Sequence, residues 1–230
     1  MSEHWLIAGA NRGIGLELVR QLIARGDRVT ASVRNDEARA ALAAKLAPQH
    51  AEVETLVFDS RDFEAVSKAA RSAGAGFDVV FANAGAFGPS PQTVLNMDFG
   101  AALDLFSINT LGPLRVAEAF LPRLKGAANP RIALMSSELG SMANKNPGAA
   151  IYSATKAALN KLAQCLAEEL SPQGVTVVAL HPGWVKTDMG GPNAPLGVTE
   201  SAAGLLATID GLSLNDSGGF LNYRGETVPW

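Results

Sequence analysis

Short runs rich in β-branched and apolar residues at positions 5–8, 28–33, 53–58, 78–82, 131–136 and 175–180 alternate with longer Ala/Leu-rich stretches. This alternation leaves few architectures open. A strand, a helix and a second strand read as a βαβ unit, and such units in series build a parallel sheet. Several runs are apolar on successive residues, as in Val175-Thr176-Val177-Val178-Ala179-Leu180. A strand of that kind has no face to offer water, so helices must cover it on both sides. The expected fold class is α/β, a doubly wound parallel sheet of about seven strands. The seventh is a short one near residues 220–223, after the Gly218-Gly219 breaker. With 230 residues, 47% of them hydrophobic, the chain suffices for one large core, and residues 1–230 are read as a single domain. The turn formers at residues 190–195 read as a mobile loop ahead of a helix starting near Thr199 and Glu200.

After the first run comes Ala8-Gly9-Ala10-Asn11-Arg12-Gly13-Ile14-Gly15, followed by the helical spacing of Leu16, Val19, Leu22 and Ile23. Glycines permit a tight strand-to-helix turn and a close approach of phosphate to backbone, while free N–H groups at the helix start favour negative charge. The glycine spacing differs from the common dinucleotide fingerprint, and the Gly-Lys-Ser/Thr ending of a triphosphate loop is missing. The end of the second strand selects the nucleotide. An acidic residue there would accept hydrogen bonds from the ribose of NAD. Here Val33 is followed by Arg34, and Arg12 lies in the glycine turn, so two guanidinium groups are available to a 2′-phosphate. The cofactor expected is NADP(H). The competing reading gives Asp36 to the ribose; Asn35, Asp36 and Glu37 also suit the cap and first turn of the next helix.

Tyr152 and Lys156 lie four apart in the helix-forming stretch Ala150-Ile151-Tyr152-Ser153-Ala154-Thr155-Lys156. Residues so spaced share a helix face, and an ammonium beside a phenol is expected to lower the tyrosine pKa toward the working pH for acid/base chemistry. Taken together, residues 9–15, Asn83-Ala84-Gly85, Asn109, Ser136-Ser137, Tyr152 with Lys156, and Pro182-Gly183 resemble the short-chain dehydrogenase/reductase family over nearly the whole chain. Residues 183–196 and 217–230 are similar to its C-factor branch, related to the sniffer-type carbonyl reductases.

The resemblance implies a Rossmann fold and a tetrad of Asn109, Ser137, Tyr152 and Lys156. In it Ser137 donates a hydrogen bond to the substrate carbonyl, Tyr152 supplies the proton, Lys156 holds the nicotinamide ribose, and the Asn109 backbone carbonyl holds a relay water. Ser137 is preferred to Ser136 on the family's pattern, although the stretch to Tyr152 is longer than in common members. The resemblance also implies cofactor contacts from Gly9, Asn11, Arg12, Gly13, Ile14, Gly15 and Arg34. Asp59 would meet the adenine amino group, with Ser60 beside it. Asn83, Ala84 and Gly85 would leave room for the adenosine half, and Pro182, Gly183, Val185 and Thr187 would meet the carboxamide or nearby phosphate. His181 reads as structural.

The activity implied is hydride transfer between NADP(H) and a small carbonyl compound or secondary alcohol. Phe87, Leu139, Met142, Trp184 and Met189 would line a shallow pocket, and helices at 111–124 and 151–170 would pair in a homodimer. The alternative is an NADP(H)-binding signalling or sensor protein of the C-factor type. A net charge of -3 without a long basic run argues against nucleic acid as a partner. One cysteine, Cys165, and the scattered His4, His50 and His181 argue against disulfides and metal. The start of the chain lacks an export pattern and no long apolar stretch occurs, so no membrane contact and a cytoplasmic location are expected.

Overall fold

A computed structural model describes residues 2–49, 53–74 and 76–230; His50 lies outside them. Seven parallel strands form one sheet in the order β3-β2-β1-β4-β5-β6-β7. They are β1 His4–Ala8, β2 Arg28–Val33, β3 Glu54–Val57, β4 Val79–Ala82, β5 Arg131–Met135, β6 Thr176–His181 and β7 Phe220–Asn222. The chain builds outward from β1 to one side through β3 and to the other through β7. This reversal opens a crevice at the carboxyl ends of β1 and β4, where ligands of open α/β sheets bind.

The two-residue period of a strand explains the two cores. Leu6, Ala8, Val177 and Ala179 face one layer, made of α3 (Phe63–Ser72), α5 (Gly112–Phe120) and α6 (Ala150–Leu170). Trp5, Ile7, Val178 and Leu180 face the other, made of α1 (Gly13–Arg25), α2 (Asp36–Leu46) and α7 (Val198–Asp210). The expected doubly wound sheet is therefore present, including the short seventh strand. Phe58 and Ser136, read as strand residues, lie just past the ends of β3 and β5 and lead into the crevice.

The helix around Asn109 differs from the sequence expectation. It starts earlier, as α4 (Phe99–Phe106), because the Asp98 carboxylate accepts hydrogen bonds from the N–H groups of Gly100 and Ala101. It then passes through a wide π turn, Ser107–Leu111, into α5. Asn109 thus sits inside a continuous helical run, in the kind of local bulge that accommodates a functional residue. Pro122, which has no N–H to donate, lies in the 3-10 turn that ends this run. The segment 190–195 is tied more firmly than its composition suggests: the Trp184 Nε1–H donates to the Gly190 carbonyl at 2.8 Å, and the Gly191 N–H to that of Thr187 at 2.9 Å. Among the described residues no helix is long and apolar enough to cross a membrane, and no group of three or more His, Cys, Asp or Glu could hold a metal.

Candidate active site

The glycine turn joins β1 to α1 at the sheet's crevice. Gly9 has φ +85°, and a Cβ there would stand 2.9 Å from Ala84 at the end of β4. A Cβ on Gly15 would lie 2.2 Å from the Gly9 carbonyl oxygen, so only glycine lets α1 start this close to the strand. The Asn83 amide donates to that same carbonyl at 2.8 Å and locks the turn to β4. Arg12 stands at the N-cap without a side-chain cap bond, and the first turn of α1 holds no acidic residue. Its N–H groups are left to an anion.

A cleft of about 370 Å³ runs from this turn across the strand ends. Of the residues anticipated from sequence, Gly9, Asn11, Arg12, Gly13, Ile14, Arg34, Asp59, Ser60, Asn83, Ala84, Gly85, Tyr152, Lys156, Pro182 and Thr187 line it. Gly15, Asn109, Ser137, Gly183 and Val185 do not. Gly15 and Val185 are buried behind the turn and loop they shape, and Asn109 is wholly buried. Of the expected apolar lining only Met189 borders the cleft. Phe87 instead packs on the Tyr152 ring at 5.0 Å between centroids, Trp184 braces the loop at Gly190, and Met142 is 79% exposed.

Arg61, which sequence reasoning missed, joins Arg12 and Arg34 at one end of the cleft. It grips Asp59 at 2.7 Å, and that guanidinium is the main reason the Asp59 carboxyl lies below its ordinary range. An arginine two residues after the expected adenine-binding aspartate was the available signal. Arg12 pairs with Asp188 at 3.0 Å, with both side chains more than half exposed. Such a pair contributes little, about 0–1 kcal/mol, so a phosphate can displace it. Asp36 turns to Arg39 at 2.8 Å and does not line the cleft, while the Asn35 side chain accepts from the Ala38 N–H as the cap of α2.

At the other end, α6 carries Tyr152 and Lys156 side by side, with the Lys156 Nζ 5.8 Å from the Tyr152 ring centroid. Lys156 is buried and donates to the Met135 carbonyl at 2.7 Å. Loss of hydration brings its pKa down to about 7. The expected lowering of Tyr152 is not found. Burial raises the phenol, opposed only by the nearby Ser137 hydroxyl. The ammonium that was to lower it is itself desolvated and turned to the β5 carbonyl. In this environment the Tyr152 phenol stays protonated at neutral pH.

The two serines after β5 are sorted by their partners. Ser136 donates to Asn160 Oδ1 at 2.5 Å and borders the cleft, whereas Ser137 does not border it: its hydroxyl accepts from the Leu139 N–H at 3.2 Å and lies near enough to Tyr152 to oppose the rise of the phenol. Asn109 donates from Nδ2 to the Ala86 carbonyl at 2.8 Å and to Thr155 Oγ1 at 3.1 Å, and its Oδ1 accepts from the Ala86 N–H at 2.9 Å. It therefore ties the strand end after β4 to α6. His181 is buried, with Nε2 3.6 Å from a Glu138 oxygen.

The sequence pattern of the short chain dehydrogenases matches residues 3–195. The chain belongs to the short-chain dehydrogenase family. Membership makes it an oxidoreductase by class, and its relatives fit the branch read from the sequence. The chain is 45% identical over 154 residues to the C-signal protein of Myxococcus xanthus, covering 66% of this chain and 92% of that one. The NADPH-bound carbonyl reductase from chicken fatty liver superposes with a TM-score of 0.91 at 35% identity, covering 100% of this short-chain dehydrogenase and 99% of that chain. The carbonyl reductase Sniffer of D. melanogaster does so with a TM-score of 0.91 at 35% identity, both chains being covered in full.

Proposed function

We propose that this short-chain dehydrogenase is an NADP(H)-dependent carbonyl reductase-like enzyme acting on a small carbonyl compound or secondary alcohol, with Tyr152 as acid/base. One observation carries the reading. The phosphate-binding turn with its arginines and the Tyr152–Lys156 pair open into the same cleft, as a dinucleotide with a reactive ring at one end requires. The cradle suits that group. A Cβ on Gly85 would stand 3.3 Å from Asn109 Oδ1 and 3.6 Å from Lys156 Nζ, so the missing side chain leaves the space where a ribose would meet the lysine. The cofactor, when bound, supplies or accepts the hydride.

The chain's own residues do the rest. The glycine turn from Gly9 to Gly15 holds the pyrophosphate, and Arg12 and Arg34 hold the 2′-phosphate. Asp59, Ser60 and the Asn83-Ala84-Gly85 strand end enclose the adenosine half. Pro182, Gly183 and Val185 shape the backbone at the carboxamide, and Thr187 bonds it or the phosphate beside it. Ser137 orients the substrate oxygen, Tyr152 gives it a proton, and Lys156 holds the ribose hydroxyls. Asn109, by its backbone carbonyl, keeps a water in line with Lys156. Burial keeps the Tyr152 proton in place at neutral pH, available to a carbonyl oxygen.

The test mixes the purified protein with NADPH and a panel of aldehydes, ketones and quinones while NADPH absorbance is followed. Oxidation that depends on one of these carbonyls is expected. Binding of NADPH without oxidation by any of them would favour a sensor instead. A cytoplasmic location suits a chain whose one cysteine, Cys165, has no second to pair with.

The homodimer remains part of the proposal. Phe99 and Leu103 on α4 are 75% and 73% exposed, and Leu111 and Leu162 are also exposed, the last on α6. Exposed apolar side chains on these helices suit a second copy of the chain. Light scattering is expected to give twice the chain mass; a monomer at micromolar concentration would remove the idea.

A further inference from the structure

We propose that Gln92 is a positioning residue for Tyr152, clamping the start of the catalytic helix to the loop that carries Phe87. The inference rests on the proposed function for its kinetic consequence and on geometry for the clamp itself.

Helix α6 begins without a cap of its own: its N-cap is Ala149, which has no side chain to offer the first N–H groups. Gln92 meets this need from 60 residues away in sequence. Its backbone carbonyl accepts from the Ala150 N–H at 3.0 Å, and its side-chain Oε1 accepts from the Tyr152 N–H at 2.9 Å. The other half of the amide, Nε2, donates to the Phe87 carbonyl at 2.7 Å. Phe87 in turn lies against the Tyr152 ring at 5.0 Å. One buried amide, 3% exposed, thereby fixes both the backbone of the catalytic tyrosine and the loop whose ring packs on its phenol.

Sequence and packing agree with a built device. Gly88 has φ +88°, and a Cβ there would stand 2.8 Å from a Leu105 methyl and 3.4 Å from Gln92 Nε2, so a side chain at this position would push the loop off the amide. The role needs an acceptor and a donor on one flat group of this length. Methionine keeps the shape and loses both bonds. Glutamate keeps both only while its carboxyl is protonated, since the ionised form has no proton for the Phe87 carbonyl. Around Tyr152, besides Gln92, stand the charged Lys156 on its own helix, the polar Ser137 after β5, and Thr155, whose hydroxyl donates to the Tyr152 carbonyl at 2.7 Å.

The test uses Gln92→Met and Gln92→Glu in the full chain, with NADPH affinity, kcat and KM measured across pH. Gln92→Met is expected to lower kcat about ten- to a hundredfold with NADPH affinity unchanged, the cost of a catalytic group held slightly out of place. Gln92→Glu should approach the parent kcat at the acid end and lose it as pH rises, in a limb added to those the parent owes to Lys156 and Tyr152. A second readout needs no substrate. The chain has two tyrosines, so in a Tyr223→Phe background the phenolate absorbance reports Tyr152 alone. Adding Gln92→Met should bring its titration midpoint down toward 10, as water reaches the loosened ring. An unchanged midpoint overturns the clamp, whether or not any carbonyl is turned over. So does a Gln92→Met enzyme with the parent's kcat, or one whose NADPH affinity falls as far as its kcat. If the methionine variant fails to fold, the pH limb of Gln92→Glu and its tyrosine midpoint decide alone.

Discussion

Tyr152→Phe is expected to keep NADPH binding and to lower turnover about a hundred- to ten-thousandfold, the range that a positioned proton donor contributes. The substitution removes one oxygen from a buried ring. The ring's contact with Phe87 at 5.0 Å and the backbone bond to Gln92 both remain, so the helix and the cleft have no cause to move. Proton transfer to the developing alkoxide is what disappears. Ser137 cannot replace it, because a hydroxyl that donates a hydrogen bond is still a far weaker acid than a phenol. Fluorescence titration with NADPH and single-turnover absorbance separate the two effects. A variant that turns over at the parent rate would remove Tyr152 from the chemistry and, with it, the proposed mechanism.

Arg34→Ala is expected to weaken NADPH binding about ten- to a hundredfold, since a hydrogen bond to a charged group contributes about 1.5–3 kcal/mol. NADH, which has no 2′-phosphate, should bind nearly as before. Of the three arginines at this end of the cleft, Arg12 is engaged with Asp188 and Arg61 with Asp59. Arg34 stands exposed just past β2 and forms no ion pair among the described residues, so its removal takes little from the fold. Binding constants for both nucleotides provide the check. Equal losses for NADPH and NADH would mean that the end of β2 does not read the phosphate. A residual preference for NADPH in the variant would measure what Arg12 and Arg61 contribute.

The two substitutions probe opposite ends of the cleft and differ in how far sequence reasoning reached them. Tyr152 and Lys156 declare themselves by a spacing of one helical turn, and Arg34 by standing where a strand ends. Their electrostatics were not legible. The lowering expected for Tyr152 rested on its neighbour's charge, but burial acts on both groups, raising the phenol and bringing the lysine to about 7. Desolvation depends on how much of the chain surrounds a group, which spacing does not record. Arg61 was missed for a related reason, since its place at the cleft depends on the turn after β3.

By itself the sequence determined the alternating sheet and helices, the glycine turn, the cap of α2 at Asn35 and the pairing of Tyr152 with Lys156. Each of these is written in residues within a few turns of one another, where periodicity, capping and steric freedom act locally. Tertiary structure alone decided that Ser136 would be held by Asn160, that Asn109 would sit in a π turn, and that Gln92 would supply the cap α6 lacks. Those outcomes join groups far apart along the chain. Which buried donor meets which acceptor follows from how the layers pack, because a polar group shut away from water must take the partner the fold brings to it.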